Sequence, residues 1–443
     1  MKTNIQTAPP EDQGSGLRTG FGQGLGYGLL GLPLAFVALP LYVHLPHLYA
    51  NHFGMPLATL GAVLLLARLF DAVTDPLLGR LGDRLQARSP GHVLRAGAVA
   101  AAVLVLGMAL LFFPPWPQAG DPLALLAVLM LTCLAFSLLA ITHQPWGARL
   151  GGDAVQRART VAWREGAGLV GVVLASVLPS WLGWGEWVVV FALALVLGCW
   201  AWSLSTPPAR TDTTPQSPWR VDLLHPWQHA PFRRLMAVFV LSGMASAVPA
   251  TLVLFFIRDR LNAPAQEPLF LASYFVAAAA SMPLWMRSVA RWGLARSWLA
   301  GMLLSVAVFV WAATLRGGDV AGFWWVCVLS GLALGSDLAL PGALLAGMIA
   351  ARGDRGQREG AYFGWWNLAS KLNLALAAGL ALPLLELMGY RPGSASAEGL
   401  QALTIAYAVL PCTLKLLAAA TLYRSFVRPA RAHTSSSPAA EAS

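Results

Sequence analysis

The chain has 443 residues, of which 57% are hydrophobic and only 11% charged, with a formal net charge of +10. Soluble globular proteins carry about 25% charged residues, so a water-facing surface is excluded and lipid is the expected solvent. The positive charge does not mark a nucleic-acid binder, because the basic residues sit in short gaps between apolar runs and form no single patch.

A bilayer-spanning helix needs about 20 mostly apolar residues. Twelve such runs follow in chain order: 27–49, 57–81, 93–113, 122–146, 161–182, 187–204, 234–257, 268–286, 297–315, 322–350, 360–387 and 400–427. They are continuous rather than alternating, so helices are expected and strands are not. The polar start, Met1 to Arg18, leads into a run long enough to stay in the membrane, so no cleaved leader is expected. Cys133, Cys199, Cys327 and Cys412 lie inside apolar runs without metal-ligand spacing and read as small core residues.

Basic residues set the orientation. Twenty-three of the thirty Lys and Arg fall at the two ends or in the even-to-odd loops, and only Arg258, Arg260, Arg316 and Arg391 fall in the opposite loops. By the positive-inside rule both termini are expected in the cytoplasm, and an even number of spans requires the same. The longest internal loop is rich in Pro, Thr and Arg. The chain thus divides into a cytoplasmic tail 1–26, a six-helix bundle 27–204, a cytoplasmic loop 205–233, a second bundle 234–428 and a disordered tail 429–443. Pro76, Arg80 and Arg84 after the second run keep register with Pro283, Arg287 and Arg291 after the eighth, which suggests a duplicated six-helix unit.

Charges inside a bilayer are costly, so each is a functional candidate. The densest group is in the second run, where Arg68, Asp71 and Asp75 share one helix face with Thr74 close by. Two carboxylates held together away from water cannot both ionise freely, so the pair is suited to a proton or Na⁺. One arginine cannot neutralise both. Lys371 lies mid-run in the eleventh and needs a carboxylate; Asp71 or Asp75 would serve if the second and eleventh runs meet. Lys415 in the twelfth run is a candidate partner for Asp337 in the tenth. His143 ends the fourth run before Gln144-Pro145-Trp146, and Arg164 and Glu165 open the fifth. Gly79, Asp83 and Arg84 sit at the end of the second run, where a charge pair can latch helix ends in one state and release them in another; Asp337 is grouped with these gating candidates. Gly26-Tyr-Gly28-Leu-Leu-Gly31 imitates a dinucleotide fingerprint, but no strand precedes it, so a small-residue packing face is expected. The chain carries no phosphate loop, so an ATP-driven pump has no support and no cofactor is expected.

The run from Arg68 through Asp71, Asp75 and Gly79, with Asp83-Arg84, resembles the second-helix signature of the glycoside–pentoside–hexuronide:cation symporters, the melibiose-permease-like branch of the major facilitator superfamily. The resemblance extends to Gln144-Pro145-Trp146, Arg157-x-Arg159 leading to Arg164, Gly335-Ser-Asp337 with Pro341, and Arg358-Glu359-Gly360 leading to Lys371. It implies an all-α membrane protein of twelve transmembrane helices in two pseudo-symmetric bundles. It further implies a coupling cation, H⁺ or Na⁺, at Asp71 and Asp75 with Thr74. The family's fifth-helix arginine near the sugar maps to Arg164; from the residues themselves Arg68, His143 and Lys371 are further polar candidates for substrate contact, and Trp146 is an aromatic one able to stack on a sugar ring. The family's sugar-binding aspartates fall at Ala35 and His143, and a threonine of its sodium site falls at Ala140. These departures leave open a non-sugar organic anion or lipid-like solute, and favour H⁺ over Na⁺. A membrane-embedded enzyme would need a catalytic set near one interface, whereas these charges lie near the midplane; a non-transporting sensor on the same scaffold is the third option. No metal is expected beyond a possible Na⁺. The remaining expectations are a small-molecule substrate, a lipid bilayer around the chain, a bacterial inner membrane and a functional monomer.

Overall fold

The computed structural model describes residues 21–37, 40–115, 121–178, 181–208, 219–390 and 396–428. Residues 1–20 of the expected tail 1–26, the tail 429–443, residues 209–218 of the central loop, and Lys2, Arg18, Arg210, Arg391 and Arg431 lie outside the described residues; the rest of the first tail, from Phe21, is helical.

The described residues are helical, with no strand. The first run is broken into α1 (Phe21–Gly28), α2 (Gly31–Phe36), a π-helical turn at Pro40–His44 and α3 (Leu45–Asn51). Then come α4 (Leu57–Arg88), α5 (Pro90–Phe112), α6 (Pro122–Arg149), α7 (Ala154–Val177) and α8 (Trp184–Leu204). A short helix, α9 (Trp219–Gln228), occupies part of the central loop. The second half holds α10 (Ala230–Phe255), α11 (Glu267–Trp292), α12 (Leu294–Ala312), α13 (Val320–Ala351) and α14 (Glu359–Leu387), closing with α15 (Ala397–Thr404) and α16 (Leu410–Leu422), which a π-helical turn joins. Eight helical spans among the described residues are long and apolar enough to cross a bilayer. The remaining long helices, α4, α7 and α14, carry the charged side chains of the candidate site.

Helix starts follow local chemistry. The Ser89 hydroxyl accepts from the His92 amide ahead of α5, and the Asp121 carboxylate accepts from the Leu123 amide ahead of α6, each with proline at the first helical position. Asp153 and Gln156 form a reciprocal capping box at α7. That cap corrects the expected start of the fifth span at 161: the hydropathy of its first two turns is masked by Asp153, Arg157 and Arg159. Arg164 therefore lies in the third turn of α7 rather than opening it.

α4 shows how lipid and interior are sorted. Leu69, Val73 and Leu77 are exposed on one side, at 52%, 69% and 48%, while Asp71 and Asp75 are buried on the other. Exposed leucines and valines at helical spacing recur on α8 and α12, an arrangement that only an apolar solvent tolerates. Within the first half, α2 packs on α7, α4 on α6, and α5 on α6 and α8; within the second, α11 and α12 pack on α13, and α10 and α12 on α16. Gly28 and Gly31 lie where an added Cβ would strike the Trp163 and Arg164 backbone, so the glycine-rich start of the chain is a packing face against α7. The halves meet through α4 with α14, α7 with α11 and α13, and α6 with α14.

Candidate functional site

The α4–α14 seam organises the site. Asp71, Asp75, Gly79 and Asp83 recur every fourth residue along one face of α4. Gly360, Gly364 and Lys371 meet them from α14. A Cβ on Gly79 would lie 2.0 Å from the Gly360 carbonyl, and one on Gly364 would lie 2.8 Å from the Asp75 carbonyl, so only glycine allows this backbone approach.

At the deep end of the seam the Lys371 ammonium sits 2.8 Å from Asp71 Oδ1 and 2.8 Å from Asp75 Oδ2. It donates to Asp75 Oδ1 at 2.8 Å and to Ser137 Oγ, on α6, at 2.7 Å. Ser137 in turn donates to Asp71 Oδ1 at 2.6 Å. The two carboxylates share this one ammonium, with Arg68 beside Asp71, and Asp75 Oδ2 keeps an ionic contact but no hydrogen bond. The Thr74 hydroxyl donates back to the Asp71 carbonyl at 3.1 Å and takes no part in the cluster. Ser137 supplies the neutral oxygen instead. Arg68 and Asp71 line a separate cavity of about 50 Å³ with Leu41, Pro46 and Cys133.

At the other end of the seam Asp83 is buried and caps α14, accepting from the Gly360 amide at 2.7 Å and the Ala361 amide at 3.0 Å. The Arg149 guanidinium, from the last turn of α6, lies 3.7 Å from Asp83 and 3.0 Å from Glu359. Arg355 donates to the Arg149 carbonyl at 2.9 Å. This latch ties α4 and α6 of one half to α14 of the other. Gly79 and Asp83 belong to it; Arg84 is exposed outside it. Asp337 does not. It sits midway along α13, where it accepts from Lys415 at 2.5 Å, Trp298 at 2.8 Å and Ser242 at 3.3 Å. Its placement among gating residues is corrected on that ground: the helix end is fourteen positions further on, at Ala351.

Between latch and carboxylates lies a cavity of about 270 Å³ shared by both halves. Gln144, Arg157, Arg164 and Glu165 line it from one side; Asp337, Trp366, Asn367 and Ser370 line it from the other. Gln144 and Asn367 exchange hydrogen bonds across it at 2.9 and 3.3 Å. Trp366 stacks on Phe239 with ring centroids 3.6 Å apart, giving one wall an aromatic face. Arg164 pairs with its neighbour Glu165. Arg157 donates to the Gly152 carbonyl at 2.5 Å, while its Nε has no partner.

His143 and Trp146 do not line this cavity. Both are fully buried within the first half. His143 bonds the Tyr27 carbonyl at 2.9 Å and stacks on the Tyr27 ring, and Trp146 packs edge-on against Trp202. The reason is helical phase: Gln144, Gly147 and Ala148, at i, i+3 and i+4, take the cavity face of α6 and turn 143 and 146 toward α1 and α8. A second cluster lies at the arginine-rich face. His225 of α9 lies 3.1 Å from both oxygens of Asp354, which also accepts from Tyr362 at 2.8 Å and Arg358 at 3.2 Å. His229 lies 3.1 Å from His225 and 2.7 Å from Arg352. Burial raises the Asp354 carboxyl, but the Tyr362 hydroxyl, His225 and Arg358 outweigh it and hold it below the usual range. Burial, then Arg352 and His225, lower the His229 imidazole. The spacing of these ligand atoms would suit a metal ion, but the Arg358 guanidinium 3.4 Å from His225 Nε2 opposes one, and the cluster is a hydrogen-bonded clasp.

The fold and the seam define a polytopic helical membrane protein with a central cavity between two halves. The chain belongs to the family described as MFS/sugar transport protein, whose model matches residues 24–427. Its described helices are accordingly those of a major facilitator fold in two pseudo-symmetric bundles. It is 23% identical to the inner membrane symporter YicJ of Escherichia coli (strain K12) over 57% of this chain and 57% of that one, so the match spans little more than half of that relative. It is 22% identical to a protein of the same strain provisionally assigned as a sulfoquinovose importer, over 86% and 85% of the two chains. Among solved structures it resembles a bacterial homologue of the iron transporter ferroportin (TM-score 0.68, 15% identity, 92% of this chain and 99% of that one). It also resembles the E. coli fucose:proton symporter FucP (TM-score 0.65, 13% identity, 89% and 97%). At these identities the likeness shows the fold alone.

Proposed function

We propose that this chain is a cation-coupled symporter for a sugar or glycoside, working by alternating access around the central cavity. One observation carries the reading: a single stretch of α14 holds both sites. Asn367 and Ser370 face the cavity, and Lys371, the next residue, is clamped between Asp71 and Asp75. A cation arriving at the carboxylates competes with the ammonium. Its displacement frees Lys371 and shifts the α14 turn that forms the cavity wall. H⁺ and Na⁺ both fit this exchange; a proton needs only the spare lone pair of Asp75 Oδ2, whereas Na⁺ needs further oxygens, of which Ser137 is the nearest. We take the latched arginine-rich face to be cytoplasmic, with both termini on that side of a bacterial inner membrane, residues 27–204 and 234–428 as the rocking bundles, and a monomer as the working unit.

A second reading concerns the solute. Arg157 and Arg164 both reach the cavity, and Arg157 has an unpartnered Nε. That arrangement suits a hydroxylated solute bearing a carboxylate or sulfonate better than a neutral glycoside. The test is uptake into reconstituted vesicles of neutral glycosides, uronates and sulfonated sugars, with proton and sodium gradients imposed separately. One solute class should accumulate with one gradient. Asp71→Asn and Asp75→Asn should abolish accumulation while leaving solute exchange. Variants that concentrate solute as the parent does would remove the coupling assignment.

A further inference from the structure

A groove of about 770 Å³ opens on the side of the molecule, away from the central cavity. Leu29, Trp163, Gly166 and Val170 line it from the first half; Met282 and Met286 line it from the second. Its walls are apolar except for Arg159 on α7 and Arg287 on α11, both exposed and both near the arginine-rich face. Neither arginine has a hydrogen bond or an acidic partner among the described residues. From Arg159 to Val170 the groove rises roughly 16 Å at the helical repeat of about 1.5 Å per residue, close to the half-thickness of about 15 Å of one hydrocarbon leaflet.

We propose that this groove binds one anionic phospholipid of the arginine-rich leaflet, with an acyl chain along α7 and α11 and the phosphate between Arg159 and Arg287. The occupant is argued from charge and shape together. Two cations without counter-charges at the mouth of an apolar slot, at headgroup depth, complement an anionic amphiphile. A zwitterionic headgroup would bring its own ammonium against the guanidiniums. The slot is also roomy where a lipid needs room: a Cβ built on Gly166 meets nothing within 4 Å. Because α7 and α11 belong to opposite halves, the bound lipid bridges the surfaces that rocking moves. It therefore favours the arrangement in which the groove has this shape, and bound lipid and conformation are linked.

The test is native mass spectrometry of the purified full chain with phosphatidylglycerol and phosphatidylcholine added in turn. The parent is expected to retain one phosphatidylglycerol in preference to phosphatidylcholine. The double variant Arg159→Gln/Arg287→Gln should weaken that retention on the order of tenfold or more. Gly166→Leu, whose Cβ meets nothing within 4 Å and whose side chain takes up room in the slot, should also lose it. Arg296→Gln, on the same face but outside the groove, should retain it. Equal retention of the two lipids by the parent, or undiminished phosphatidylglycerol on the double arginine variant, overturns the proposal. So does a parent that is a lipid-free dimer and becomes monomeric in Gly166→Leu, since the groove would then hold a second copy of the chain.

Discussion

At Lys371 a single ammonium meets two carboxylates and a serine, using all three of its donors. The arrangement predicts an asymmetric effect of removing charge. Lys371→Gln takes away the tethered cation and leaves Asp71 and Asp75 facing each other with only Arg68, beside Asp71, as a nearby positive charge. A free cation then has no competitor, so its binding should tighten by about tenfold or more, as like-charged carboxylates recruit whatever neutralises them. Gradient-driven uptake should fall at the same time, because a tightly held ion is released slowly. Titration of the purified variant with Na⁺, and separately with acid, reads the first effect; vesicle uptake reads the second. Cation binding as weak as in Asp75→Asn would mean that Lys371 supports the ion rather than competing with it. Much of this cluster was legible beforehand. The three- and four-residue spacing of Arg68, Asp71 and Asp75 announced a shared face, and Lys371 demanded an acid. Ser137 was not legible, since a neutral hydroxyl in an apolar run carries no charge signal. His143 and Trp146 were misplaced because a polar and an aromatic side chain at the end of an apolar run were taken as site candidates on residue type, whereas the phase of α6 gives the cavity to Gln144, Gly147 and Ala148.

Among elements, the junction of α4, α6 and α14 decides which end of the cavity is closed. Arg149 is buried between Asp83 and Glu359, whose side chains are at most 1% exposed. Arg149→Ala would leave two buried carboxylates without their cation, a loss on the order of 3–5 kcal/mol for this arrangement. That is enough to shift a two-state equilibrium by more than a hundredfold. A cysteine placed at Ala148 on the cavity wall should then label readily from the arginine-rich face, where in the parent background it is shielded. Unchanged labelling would show that the glycine contacts of the seam hold the closure without the latch. α9 makes a different prediction. Its clasp sets His229 against His225, Arg352, Asp354 and Arg358. The lowered His229 value means that the packed imidazole resists a proton which the released one accepts, so the clasp weakens as pH falls through about 6.5. The lowered Asp354 value acts lower down: its contribution is intact above about 3.9 and is lost only below that. Limited proteolysis in 205–233 should therefore accelerate between pH 7.5 and 5.5, and His229→Asn should remove most of that dependence. This clasp was invisible in the sequence, because a Pro-, Thr- and Arg-rich stretch reads as a linker and its histidines find their partners more than a hundred residues away.

For the whole molecule, hydropathy revealed the helical membrane architecture, because the solvent imposes it: each span must satisfy its own backbone in lipid. It was weaker where function intrudes. α1 to α3 break at the glycines and prolines of residues 28–40, and the charged first turns of α7 hid its start. Motion between the halves is the property on which transport depends, and Gln144 and Asn367 allow it to be tested. Their side chains meet across the cavity at 2.9 Å, so cysteines at both positions, in a background without the four native cysteines, can be bridged by a short bis-thiosulfonate reagent, which forms reducible disulfides with release of sulfinate. If the bundles rock about the cavity, that bridge holds α6 against α14 and uptake should stop, then return when the bridge is reduced. Ser288 and Ser297 form the matching control. They also touch, at 2.8 Å, but both lie in the second half, on α11 and α12. Bridging cysteines there should leave uptake close to that of the unbridged protein, because α11 and α12 travel together. Full bridging of positions 144 and 367 with transport unimpaired would place the moving parts elsewhere, and the seam between α4 and α14 would then be a fixed joint rather than a gate.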